Sequence, residues 1–140
     1  MTDIENKVID TVTNAVEAEF STATVDGRFD PSPASFPFIS VEEIDSANPL
    51  KYQDNTNAER YTEVTYEVNI CTNDKLKKST AKAIAQVVDT AMNGMKFLRL
   101  SKTPTPNIDR TVYRLTMRYS AVVAAGVTKD GTTYYQMYHR

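Results

Sequence analysis

Two stretches of this chain alternate with a period of two, and nothing else in it constrains the fold as strongly. In residues 61–70, Val64, Tyr66, Val68 and Ile70 fall on one side, and Glu63, Thr65, Glu67 and Asn69 on the other. In residues 111–122, Tyr113, Leu115, Met117, Tyr119 and Ala121 oppose Arg114, Thr116, Arg118 and Ser120. Successive side chains of a strand point to opposite faces, so each stretch reads as a strand with one apolar and one polar face. Half-buried strands of this kind belong to antiparallel sheets, and their apolar face needs a second layer.

Two segments supply that layer. Ile4, Val8, Val12, Val16 and Phe20 recur every four residues, with Ile9 and Ala15 widening the stripe. This spacing predicts an amphipathic helix packed on the sheet. Thr2 and Glu5 are placed as a capping box at its start. Glu5, Lys7, Asp10, Asn14 and Glu17 fall elsewhere on the wheel, without the Lys/Arg-rich face of a membrane-surface helix. A second helix follows the candidate caps Thr72, Asn73 and Asp74. Its stripe is Leu76, Thr80, Ala83, Ile84, Val87, Val88, Ala91 and Met92, and Gly94 stands where a C-terminal cap belongs. Lys75, Lys77, Lys78 and Lys82 fall mostly off the stripe. They could contact phosphate, but Asp74 and Asp89 offset them and no aromatic is interleaved for stacking, so they read as a solvated face.

The other segments are shorter. Residues 21–35 are small and polar, and Asp26-Gly27 signals a turn in a short, irregular hairpin. Residues 36–44 read as a strand, with Pro37 placing it at an edge or at a strand start. Residues 45–60 form a long polar loop, expected to be mobile in the free chain and ordered against a neighbouring subunit. Residues 95–100 read as a strand, and residues 101–110, with Pro104 and Pro106, as a loop. Asp130-Gly131 predicts a hairpin joining residues 122–128 to 132–138, with Gly126 as a bulge. The expected architecture is α+β: a mainly antiparallel sheet with two helices packed on one face, in a single domain spanning residues 1–140.

Composition narrows the function classes. The hydrophobic fraction is 41%, enough for a core, and the formal net charge is -2 with both signs mixed along the chain. A free nucleic-acid binder carries a basic surplus or stripe, and neither is visible. Nothing resembles a signal peptide or a membrane span, and the single Cys71 excludes an internal disulfide. The expected setting is a cytoplasm, or an assembly built there.

No catalytic spacing appears. His139 is the only histidine and stands beside the C-terminus, a poor place for a general base. Cys71 has no histidine nearby in sequence and reads as a buried, inert thiol. Glu42, Glu43 and Asp45 read as a solvated strand end rather than a paired-acid site. No metal, phosphate-loop or nucleophile-elbow spacing is present. The expectation is a protein without catalytic residues, cofactor or metal.

Contact surfaces are better marked. The polar faces of the two alternating strands carry opposite signs, Glu63 and Glu67 on one and Arg114 and Arg118 on the other. If the strands are neighbours these groups can pair across the sheet; the alternative is that this face meets a second subunit. Tyr134, Tyr135 and Tyr138 crowd the last strand, and tyrosine is enriched at interfaces. These seven residues are the candidate subunit interface.

Residues 36–45, the polar loop, residues 61–70, the helix over 74–93 and the strand over 114–120 together resemble the tail-terminator (tail-completion) proteins of long-tailed bacteriophages and prophages. The likeness lies in element order, size and sequence character over about residues 4–123. It implies a structural virion protein of the tail-neck region, forming a six-fold ring on the tail tube. The ring would end tube polymerisation and present a joining surface to the head-side connector. The implied partners are further copies, the major tail tube protein and the connector, with DNA only passing through the lumen and no membrane involved. The resemblance transfers no catalytic residue. A head-completion or connector protein of the same neck region, and a small ligand-binding α+β domain, are the alternatives.

Overall fold

The structure, a computed structural model, describes residues 4–30, 33, 35–47, 61–106, 111–124, 127–129, 132–134 and 137–139. The elements run α1 (Glu5–Glu19), β1 (Thr24–Asp26), β2 (Phe38–Ala47), β3 (Tyr61–Thr72), α2 (Lys77–Gly94), β4 (Leu98–Thr105), β5 (Tyr113–Ala124), β6 (Val127–Lys129), β7 (Thr132–Tyr134) and β8 (Met137–His139). The main sheet has the order β1-β2-β3-β5-β4, with β8 also pairing β5, while β6 and β7 form a separate hairpin.

The two alternating segments are the neighbouring central strands β3 and β5, antiparallel from Tyr61 opposite Ala124 to Thr72 opposite Tyr113. Their apolar sides, with Ile39 and Val41 of β2, form one core with Val8, Val12 and Val16 of α1 and Ile84, Val88 and Met92 of α2. The α+β expectation, two helices on one face of a mainly antiparallel sheet, holds. Tyr66 and Phe97 meet edge to face in this core, ring centroids 5.4 Å apart at 84°.

Several local expectations are corrected. Helix α1 begins at Glu5 behind Ile4, which makes no side-chain cap bond; Thr2 lies outside the described residues. The buried face of α2 is turned from the expected stripe: Ala81 and Ala85 are buried, while Leu76 and Ala83 are exposed. Alanine is neutral in a periodicity count, yet its small side chain lets a helix seat close to a sheet. Val87 and Ala91 instead line a groove between the helices with Ala15 and Glu19. Neither Thr72 nor Asp74 caps α2 through its N-cap position. Thr72 Oγ1 donates to the Lys77 carbonyl at 2.6 Å, and Asp74 accepts from Thr80 Oγ1 at 2.8 Å.

The stop of α2 also differs. Gly94 is the last helical residue, and Lys96 takes the left-handed conformation at φ 72°. The Phe97 N–H donates to the Met92 carbonyl and the Lys96 N–H to the Asn93 carbonyl, each at 3.0 Å. This is a Schellman cap with lysine at the position glycine normally fills. A side chain there costs roughly 1 kcal/mol in the left-handed region. Lys96→Gly is therefore expected to raise the unfolding free energy by about 0.5–1 kcal/mol in urea denaturation.

The segment read as a hairpin over 21–35 is not one. β1 pairs in parallel with β2, Thr24 opposite Phe38, so the chain between them crosses over the sheet rather than reversing beside it. Gly27 leaves β1 against α1: a β-carbon there would stand 3.0 Å from Ile9 Cδ1. Pro37 directly precedes β2, at a strand start as expected. β2 continues through Asp45 to Ala47, so the polar loop begins later than expected, and residues 48–60 lie outside the described residues.

β4 starts at Leu98 and runs through Ser101 to Thr105, a stretch expected to be loop. Pro104 is tolerated because β4 is an edge strand, and a bulge at Leu100 breaks its register on β5. The last expected strand is split. Lys129 opposite Thr132 closes the β6–β7 hairpin, as the Asp130-Gly131 signal implied, but Met137–His139 leaves it and pairs with Ala121–Val123 of β5. β4 reaches only to Ser120 on that side of β5, so the backbone groups beyond it are open for β8 to satisfy.

Candidate interaction face

The helices cover one face of the sheet; the candidate residues lie on the other. Strand alternation places Phe38, Ser40 and Glu42 of β2 on it beside Cys71, Asn69 and Glu67 of β3. Arg114, Thr116 and Arg118 of β5 follow, and then Thr105, Thr103 and Ser101 of β4.

Across these rows runs one hydrogen-bonded chain. The hydroxyl of Thr105 donates to Thr116 Oγ1 at 2.7 Å, and Thr116 donates to Asn69 Oδ1 at 2.8 Å. Arg114 Nε donates to the same amide oxygen at 2.9 Å. Asn69 Nδ2 in turn donates to Glu67 Oε1 at 3.1 Å, and Glu67 Oε2 accepts from Arg118 Nε at 3.1 Å. Two donors on one side and a carboxylate on the other fix the orientation of the Asn69 amide. Asn69 is thus the buried hub that ties β4, β5 and β3 together on this face.

The charged pair is peripheral to that hub. Arg118 and Glu67 stand directly opposite in the register and form an ion pair at 3.1 Å, their side chains 54% and 19% exposed. An exposed pair of this kind contributes about 0–1 kcal/mol to folding. Arg114 pairs with no carboxylate in the described contacts; its guanidinium lies 4.0 Å over the ring of Phe29 and is bonded to Asn69. Glu63 sits opposite Val122 and accepts from Ser120 Oγ at 3.5 Å. The structure therefore joins Arg118 to Glu67, and places Arg114 and Glu63 at opposite ends of the face with other partners. Tyr134 ends β7 and Tyr138 lies in β8 opposite Val122, while Tyr135 is outside the described residues.

One end of the face is roofed by the β1–β2 crossover. Phe29 and Phe36 pack on a small apolar cluster of Phe38, Cys71 and Val112, and the Phe29 N–H donates to Glu42 Oε1. Nothing in the sequence marked Phe29 for this role. Asn69 and Thr116 carried a signal, their place on the polar side of alternating strands. Glu42 and Glu43 are divided by the strand pleat: Glu42 serves the crossover, and Glu43 accepts from Tyr66 on the helix side at 3.4 Å.

Cys71 is buried within the small cluster. Burial pushes its thiol pKa up; the Arg114 charge pulls the other way and Asp30 adds to the rise. The thiolate needed for reaction is thus disfavoured as well as covered. Alkylation of the native protein by iodoacetamide is expected to run at least ~100-fold slower than that of the urea-unfolded chain. Equal rates would place Cys71 at the surface.

A second polar group lies on the helix side. The buried Tyr119 hydroxyl donates to Asp89 Oδ1 of α2 at 2.8 Å, and Arg99 of β4 reaches the same oxygen at 3.2 Å. Burial and then the Asp89 hydrogen bond raise the Tyr119 pKa far above the usual phenol range. Lys77 Nζ donates to the Thr111 carbonyl at 3.2 Å, while Lys75, Lys78 and Lys82 are exposed. Among the described residues no helix is long and apolar enough to cross a membrane, and no three metal-ligating side chains gather.

The chain matches no protein-family model and no curated protein. Among solved structures, that of the bacteriophage SPP1 gp17 protein is similar over 91% of this chain and 93% of that one, with a TM-score of 0.39 and 10% identity, a remote likeness.

Proposed function

We propose that this chain is a structural virion protein that ends a phage tail tube. It forms a ring of six on the tube, stops its polymerisation and offers the surface to which the head-side connector joins. Its partners are further copies of itself, the major tail tube protein and the connector; DNA passes through the lumen, and the protein needs neither catalytic residue nor cofactor.

The observation that carries this reading is where the tail-terminator-like segments fall. Residues 36–45, 61–70, 74–93 and 114–120 correspond in order to β2, β3, α2 with its entry turn, and β5. These are the contiguous centre of the sheet and the helix above it. The charged face agrees with a role in contact rather than chemistry: the polar groups around Asn69 satisfy one another across a pleated surface instead of converging on a small ligand. Arg118, more than half exposed, is the group of that face placed to reach a carboxylate on another protein.

Electron microscopy of tails assembled with and without the protein tests the reading. Without it, tails are expected to be over-long and unable to join heads. Tails of normal length that join heads in its absence would refute it.

A further inference from the structure

The two lateral edges of the fold carry opposite charge, and each ends in a strand with one side unpaired among the described residues. At one edge lies β1, flanked by α1. Ile9, Thr13 and Glu17 follow at i, i+4 and i+8, so they share one flank of α1. The contact of Gly27 with Ile9 shows that this flank borders β1. Glu17 is exposed on it, and Asp26 is exposed in β1 itself. Arg28 stands beyond Gly27, where the chain turns onto the charged face.

At the other edge lies β4, flanked by α2. Lys78 and Lys82 share the flank of α2 that carries Asp89, which binds Arg99 of β4. Lys78, Lys82 and Lys102 are exposed, and β4 contains Arg99 and Lys102 but no acid. β4 also exposes Leu98 at 46% and Leu100 at 44%, apolar area on a strand whose outer side has no partner among the described residues.

We infer that the β4–α2 edge of one copy docks against the β1–α1 edge of the next. The occupant is a second copy because the complementary charge is on the same chain, at the opposite end of the same sheet. Strand direction allows it. β1 runs parallel to β2, and each later step across the sheet to β4 is antiparallel, so β4 opposes β1 in direction. Copies related by a turn about an axis along the strands therefore bring β4 beside the next β1 as an antiparallel pair. The contact is heterologous, uses each edge once, and propagates around a ring until it closes. Lysines 78, 82 and 102 then face Glu17 and Asp26, and Leu98 and Leu100 leave water. Opposite edges attract while like edges repel, which selects head-to-tail contact over a two-fold dimer. This deepens the ring reading above and rests on it for the assembled state.

Cysteine pairing tests it in the full-length chain. Lys102→Cys and Asp26→Cys variants are mixed under mild oxidation, in concentrated solution and on assembled tails. Mixed 26–102 disulfides are expected in excess of both symmetric products. The excess should fall at high salt and when Lys82→Glu is added, and recover when Glu17→Lys is placed on the partner. Statistical amounts of the three products in both settings overturn the edge contact. If tails still carry a terminal ring in that case, the edge assignment fails and the ring reading stands. If tails carry no ring of this protein, both fall.

Discussion

Phe97→Ala is expected to lower the unfolding free energy by about 3–5 kcal/mol, a large part of the roughly 5–15 kcal/mol that holds a domain folded. Phe97 is 1% exposed and belongs to the main core. Truncation removes the transfer energy of a ring and leaves a cavity beneath α2. It also removes the edge-to-face partner of Tyr66, a contact worth about 0.5–1.5 kcal/mol beyond area. A third loss is local: Phe97 is the apolar residue that closes the Schellman cap over buried Met92. Urea unfolding followed by circular dichroism measures the change, with the midpoint falling and the slope unchanged. Phe97→Leu keeps burial while losing the ring pair, so it should cost about 1.5 kcal/mol or less. A Phe97→Ala cost below 1 kcal/mol would mean that the core does not close on this ring.

Asn69→Leu is expected to cost about 2–3 kcal/mol, more than removal of the ion pair beside it. The substitution keeps bulk but deletes the acceptor shared by Arg114 and Thr116 and the donor to Glu67. The half-buried Arg114 and Thr116 then each lose their acceptor, and that loss sets the size of the effect. Arg118→Ala, by contrast, removes an exposed partner and should change stability by about 0–1 kcal/mol. The pair of variants separates the two jobs of this face. If Asn69→Leu is as mild as Arg118→Ala, the hydrogen-bonded chain does not hold the sheet together. Asn69→Asp preserves the acceptor for Arg114 and Thr116 but sets a second carboxylate against Glu67, so its cost isolates the amide's donor half.

The central sheet was legible in the sequence because period-two alternation is a local consequence of the pleat. Val64 to Ile70 and Leu115 to Ala121 declared their buried side without reference to any distant residue. The valine stripe of α1 was legible for the same reason at helical period. Charge alternation likewise put Arg114, Arg118, Glu63 and Glu67 on one face, but it could not choose partners. Register between β3 and β5 is a long-range property; it set Arg118 against Glu67 and gave Arg114 to Asn69 and Phe29. The parallel β1 and the path of β8 were hidden too, because three-residue strands carry too few residues to show a period. Tertiary contact decided them: β1 joins the open side of β2, and β8 joins the part of β5 that β4 leaves free. The left-handed Lys96 follows the same rule. Local propensity favours Gly94 as the stop, but burial of Met92 and Phe97 in the shared core fixes where α2 must end. Sequence by itself determined which faces are apolar, because that depends on neighbours along the chain; only the tertiary structure decided which polar groups meet and which edges remain open, because that depends on strand order.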